Sequence, residues 1–221
     1  MKDMLYRWPQ NAALGRTIPK TKFYDHGSVR SGLRDKFVGQ VQRIVWAYKL
    51  AEETIRLKDS DVVPEIQVFT VDTKGTDVGD DVLIAIDRTV HFPIIFEIVS
   101  AHENGSRVRV TAAQKQLSGT TPTVGTYFTT SWLASDTPRS PLPAAIDLPS
   151  LYEALLASLL PVAKRPAESV AEATDRIART RKIEREIAAL ERKLRAEPQF
   201  NRKVELQRAL RERQAALAEM T

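Results

Sequence analysis

The sequence predicts an α+β fold: a mostly antiparallel five-stranded sheet flanked by helices, followed by a C-terminal antiparallel helical hairpin, a coiled-coil arm. Three observations predict it. β-rich apolar runs follow one another from residue 62 to 131, separated by turn residues, with no room for long crossover helices. Helix-period segments precede and follow that stretch. From Ala167 to Met220 there is no Gly, and Pro198 is the lone Pro. The expected domains are 1–163, an α+β body, and 164–221, the arm.

In chain order, residues 1–35 read as loop, with Pro9, Gly15, Pro19, Gly27 and Gly32. Residues 35–56 read as a helix, because Phe37, Val41, Ile44, Val45 and Tyr48 recur at three- and four-residue steps after Asp35, a suitable N-cap. Val63 to Val71 reads as the first strand. Thr73 to Asp80 is a polar, Gly-containing turn. The apolar runs Val82–Ile86 and Pro93–Val99 read as central strands covered on both faces. Asn104-Gly105 is a hairpin signal, after which Arg107 to Ala112 alternates charged and apolar residues. Thr126 to Trp132 completes the sheet. A Ser/Pro/Asp-rich loop leads to a helix over Asp147–Leu160, carrying Leu151, Leu155 and Leu159.

The arm has the clearest pattern. Ile183, Ile187, Leu190 and Leu194 form one apolar seam, and Leu206, Leu210 and Leu217 form another, with Arg213 in the remaining slot. The two helices meet near Glu197-Pro198-Gln199. At about 1.5 Å per residue each spans roughly 30–40 Å. A hairpin closes its own seam, whereas an open arm would make a homo-oligomer.

Bulk properties narrow the chemistry. The chain has 221 residues, is 43% hydrophobic, and contains no Cys, so disulfides, thiolate metal sites and a Cys nucleophile are excluded. No apolar run approaches the roughly 20 residues of a membrane span. The opening MKDMLYRWPQ lacks the apolar core of a signal peptide. A cytoplasmic protein without membrane contact is expected. Charge is uneven: residues 1–58 carry 12 Lys+Arg against 5 Asp+Glu, residues 59–163 carry 6 against 13, and residues 164–221 carry 15 against 10. The basic ends suit phosphate backbones, although opposite-sign segments also pack on one another. Lys20, Lys22, Arg30, Arg34, Arg202 and Lys203 are the candidate nucleic-acid contacts. In Pro19-Lys20-Thr21-Lys22-Phe23-Tyr24 the cations interleave with rings able to stack on bases, or to anchor the segment to the body.

Catalytic motifs are missing. There is no Gly-x-x-x-x-Gly-Lys-Ser/Thr loop and no Gly-x-Ser-x-Gly elbow, and His26, His91 and His102 lack metal-ligand spacing. No cofactor, metal or catalytic set is expected. The best enzymatic alternative is a Mg²⁺-dependent nuclease using Asp72 and Lys74, with Glu65, Glu52 or Glu53 as the further carboxylate.

Five segments stand in a specific order: Pro19-Lys20-Thr21-Lys22-Phe23, Trp46-Ala47-Tyr48-Lys49-Leu50, Glu65-Ile66-Gln67-Val68-Phe69, Tyr127-Phe128-Thr129-Thr130-Ser131-Trp132, and Glu197-Pro198-Gln199-Phe200-Asn201-Arg202-Lys203-Val204-Glu205-Leu206. Together they resemble an uncharacterised bacterial and archaeal family, domain of unknown function 4391, over nearly the whole chain. Pro198 stands where that family usually has Lys. The resemblance implies a context rather than a residue set. It points to an accessory subunit of a DNA-handling, anti-phage defence assembly, whose larger partner is a helicase or methyltransferase. Phe200, Asn201 and Arg202 are the candidate partner contacts. Direct DNA binding is the alternative.

Overall fold

Residues 4–24, 31–102, 105–117 and 122–220 are described in the computed structural model. Contacts divide the chain into two units, Met1–Ala163 and Lys164–Thr221.

The first unit is built on a sheet of seven strands among the described residues. β1 (Ala13–Ile18), β2 (Val41–Ala51), β3 (Glu65–Thr73), β4 (Ile94–His102), β5 (Gly105–Gln116) and β6 (Thr123–Thr129) lie side by side in chain order, and β7 (Leu133–Ala134) pairs with β5. The helices are α1 (Ser31–Gln40), the single turn α2 (Glu52–Ile55), α3 (Asp80–Thr89) and α4 (Leu148–Leu159). None of the described helices is long and apolar enough to cross a membrane.

The class is mixed α+β, with corrections to the sequence reading. Seven strands replace five: β1 and β7 lie in segments read as loop and β2 in one read as helix, while one expected strand is helical. The sheet is not antiparallel throughout: β3 and β4 run parallel, and α3 is the crossover between them. Val82–Ile86, expected as a strand, is the middle of α3. A five-residue apolar run fits a buried strand or a helix equally well. Here Asp80 and Asp81 in the first turn and Arg88 in the last suit the helix dipole, and Val82, Leu83, Ile86 and Asp87 are buried at helical spacing. Conversely, the helix expected over 35–56 ends at Gln40, and Val41–Ala51 is β2. The ladder of β2 with β3 shifts register between Val41 and Arg43 and again between Trp46 and Tyr48. Each shift slips the two-residue alternation by one, so the pattern imitates three- and four-residue steps. The Val, Ile, Trp and Tyr content was the strand signal.

β3 and β4 are central and buried on both faces. On one face Phe69, Val71, Phe96 and Ile98 join Phe37 and Val41 with Val82, Leu83 and Ile86 of α3 in a single core. The alternate residues Ile66, Val68, Ile95, Val110 and Ala112 are equally buried on the other face. There α4, which contacts β3, β5 and β6, supplies Leu151, Leu155 and Leu159. Asp147 caps α4, its Oδ1 accepting from Ser150 N at 2.8 Å. β4 and β5 form the predicted hairpin, pairing His102 with Gly105. Gly105 sits at φ +109°, where a side chain is strained. Asn104 lies outside the described residues.

In the second unit, α5 (Val170–Ala196) and α6 (Phe200–Met220) are joined by three residues and pack on one another. Ser169 and Glu172 form a reciprocal cap at the start of α5: Glu172 N donates to Ser169 Oγ at 3.2 Å, and Ser169 N donates to Glu172 Oε2 at 2.8 Å. Arg213 Nε lies 3.0 Å from Glu186 Oε2, tying the two helices together. Ile183, Ile187, Leu190, Leu194, Leu206, Leu210 and Leu217 are all half-buried.

Candidate functional site

One register row crosses the first four strands. Arg16 of β1 pairs with Trp46 of β2, Trp46 with Phe69 of β3, and Phe69 with Phe96 of β4. The rings form a ladder with centroids 6.3 Å apart for Trp46–Phe69 and 6.2 Å for Phe69–Phe96. Toward the β1 edge this ladder floors a cleft of about 470 Å³. Lys22 and Phe23, from the short 3-10 turn Lys20–Phe23, border it, as do Thr89 at the end of α3, Val90, His91 and Phe92 after it, and Gln67 of β3. None of the eleven lining residues is acidic. Arg16 and Lys22 are exposed and make no ion pair among the described residues.

Buried chemistry fixes the cleft walls. Lys115 of β5 donates to the carbonyls of Asp87 at 2.7 Å, Val90 at 3.0 Å and Phe92 at 2.7 Å, so it caps the C-terminal end of α3 and holds the turn bearing His91. These three bonds use all its protons. Its 2.6 Å approach to Asp87 Oδ1 is therefore a charge contact, made with both side chains essentially inaccessible. Burial pushes the Asp87 carboxyl up and the Lys115 ammonium down, and their mutual attraction opposes both shifts. Tyr127 donates to Asp87 Oδ2, and burial raises its phenol well above the usual range. At the β2 edge, Gln67 donates to Glu65 Oε1, and Lys49 Nζ lies 3.4 Å from Glu65 Oε2. Trp46 Nε1 donates to Tyr48 O at 3.1 Å, which fixes the indole.

A second polar cluster occupies the opposite face. The buried Glu97 carboxylate accepts from Trp8 Nε1 at 2.8 Å and from Arg139 Nη1 at 2.6 Å and Nη2 at 3.1 Å. These bonds raise the Arg139 pKa further. Arg139 also donates to Tyr6 O at 2.8 Å, so the cluster clamps the N-terminal segment to the sheet.

The sequence candidates separate in space. Lys20 Nζ donates to Val41 O at 2.7 Å, a structural bond, and burial lowers its pKa with the Lys74 charge adding to the effect. Lys22 borders the cleft. Arg34, on α1, stands 5.6 Å from the Tyr24 ring centroid, and Tyr24 packs on Phe37. Arg30 and His26 lie outside the described residues. Asn201, Arg202 and Lys203 occupy the exposed first turn of α6 beside Phe200. The residues of the nuclease alternative are not brought together. Asp72 is held by Arg43 Nε at 2.7 Å, and Lys74 is exposed in a turn. Glu65 lies seven residues back along β3, on the opposite face and roughly 23 Å away. Glu52 and Glu53 belong to α2, with Glu53 bound to Lys49 at 2.7 Å. Among the described residues no group of three His, Asp or Glu is placed to hold a metal ion. Sequence reasoning missed Arg16, Trp46, Gln67, His91 and Phe92 as neighbours, because no linear spacing links them.

These features define a mixed α+β domain with a cationic, aromatic-floored cleft at its sheet edge, continued in sequence by a pair of long helices. Residues 7–217 match the family described as Domain of unknown function (DUF4391), and the chain belongs to that family. No curated protein and no solved structure matches it.

Proposed function

We propose that this chain is a non-catalytic accessory subunit of a DNA-handling assembly serving defence against phage. It docks through its coiled-coil arm onto a larger DNA-acting protein of the helicase or methyltransferase class. The observation that carries this reading is at the start of α6, where Phe200 and Val204, four residues apart on one helix face, are 77% and 52% exposed. Two large apolar side chains so placed suit a partner pocket. Arg202 and Lys203 stand beside them in a first turn that contains no acidic residue. Cations there oppose the helix dipole, so the local electrostatics favour neither α6 nor its isolation. A partner surface with an apolar pocket and an acidic rim compensates both.

The test is co-expression with the products of neighbouring genes, followed by purification on a tag carried by this chain. A DNA-acting partner should co-purify stoichiometrically. Phe200→Ala should weaken the complex by about 30-fold, the loss of one aromatic anchor worth roughly 2 kcal/mol. A chain that purifies alone with every neighbour present, or a complex indifferent to Phe200→Ala, refutes the reading.

A further inference from the structure

We infer that the sheet-edge cleft binds a nucleotide, with the base on the Trp46 indole and the phosphate on Arg16 and Lys22. This goes beyond the adaptor role and is independent of it. The cavity of about 470 Å³ lies within the range of small-ligand sites, about 300–1,000 Å³. Its apolar surface is mainly aromatic: Trp46 and Phe69 come from the sheet, Phe23 from the 3-10 turn, and Phe92 from the segment after α3. Such a lining favours a flat ring over an aliphatic chain, because stacking adds to burial. Arg16 lies directly across the ladder from Trp46, and both it and Lys22 are exposed without a counter-charge among the described residues. An anionic group attached to the stacked ring completes the arrangement.

Gln67 supplies the polar edge. It is 4% exposed, yet lines the cleft. Glu65 is an acceptor, so it draws the amide NH₂ toward itself and fixes the orientation of Gln67. The Gln67 carbonyl accepts no hydrogen bond among the described residues. It lines the cleft as an acceptor for a ring or exocyclic N–H of a base. Lys115 acts at a distance, by holding the carbonyls of Val90 and Phe92 and so the wall opposite the sheet.

A nucleotide could come free or within a single strand, and calorimetric titration of the full chain distinguishes them. The probes are AMP, adenosine, inorganic phosphate and a short oligo-deoxyadenylate. AMP should bind at least tenfold more tightly than adenosine or phosphate alone. If the oligonucleotide binds and AMP does not, the ligand is a single strand; if AMP binds as tightly as the oligonucleotide per site, it is the free nucleotide. Arg16→Glu/Lys22→Glu changes two exposed residues and should leave the circular dichroism spectrum unaltered while weakening the phosphate-bearing probe by at least tenfold. Trp46→Leu should weaken AMP and adenosine together. Failure of both AMP and the oligonucleotide to bind, or equal affinity in the Arg16→Glu/Lys22→Glu chain, overturns the inference.

Discussion

Lys115→Met removes the charge at the centre of the first unit while keeping most of its volume. In the native protein the Lys115 and Asp87 side chains are 0% and 1% accessible and stand 2.6 Å apart. The substitution strands a buried carboxylate and withdraws the donor from three carbonyls at the end of α3. Breaking a buried pair from one side costs about 3–5 kcal/mol. For a domain of this size that lowers the melting temperature by roughly 6–20 °C. Urea unfolding followed by circular dichroism measures it, with an unchanged slope showing that the two states remain the same. The companion Lys115→Met/Asp87→Leu removes both charges and should recover a large part of the loss. Tyr127 then loses its acceptor, so recovery should be incomplete. A loss under about 1 kcal/mol in Lys115→Met refutes the assignment of this pair as the clamp on the 87–92 segment.

Two further substitutions examine the arm. Arg213→Leu fills the remaining slot of the α6 seam, and the pair it removes with Glu186 is largely exposed, at 53% and 35%. Such pairs contribute about 0–1 kcal/mol, so thermal melting of the arm should be unchanged or higher, and a fall of several degrees would contradict the seam. The second concerns pH: Arg176 bonds lower the Glu168 pKa from 4.5 to about 2. A depressed folded-state value means the pair stabilises above pH 4.5 and loses that effect as pH falls toward about 2. The melting difference between the native chain and Glu168→Gln should therefore be present at neutral pH and vanish near pH 2. A difference that persists at the acid end would exclude the ion pair as its cause.

What could be read from the sequence followed the regularity of each element. The helix beginning at Leu148 announced itself through Asp147 and its leucines, and the arm through apolar residues at three- and four-residue steps on either side of Pro198. Gly105 and the alternation after it gave the β4–β5 hairpin. β2 was misread because two register shifts hid its alternation. α3 was misread because its apolar residues are contiguous, leaving only the acids before them and Arg88 after them to mark a helix. Without α3 as a crossover, the strand pattern predicts no parallel pair between β3 and β4. The cleft was illegible for a different reason. Arg16, Trp46, Gln67 and His91 come from four segments, and only strand register brings three of them onto one face. Lys22 was found, but for its neighbours in sequence rather than its neighbours in space.

The claim that the arm is a docking element is tested most directly by placing a photo-crosslinking phenylalanine analogue at position 200 and irradiating the native host. One dominant adduct should form, identified by mass spectrometry as a DNA-acting protein and lost when Val204 is also changed to Ser. Adducts only to a second copy of this chain, or none at all, would contradict it.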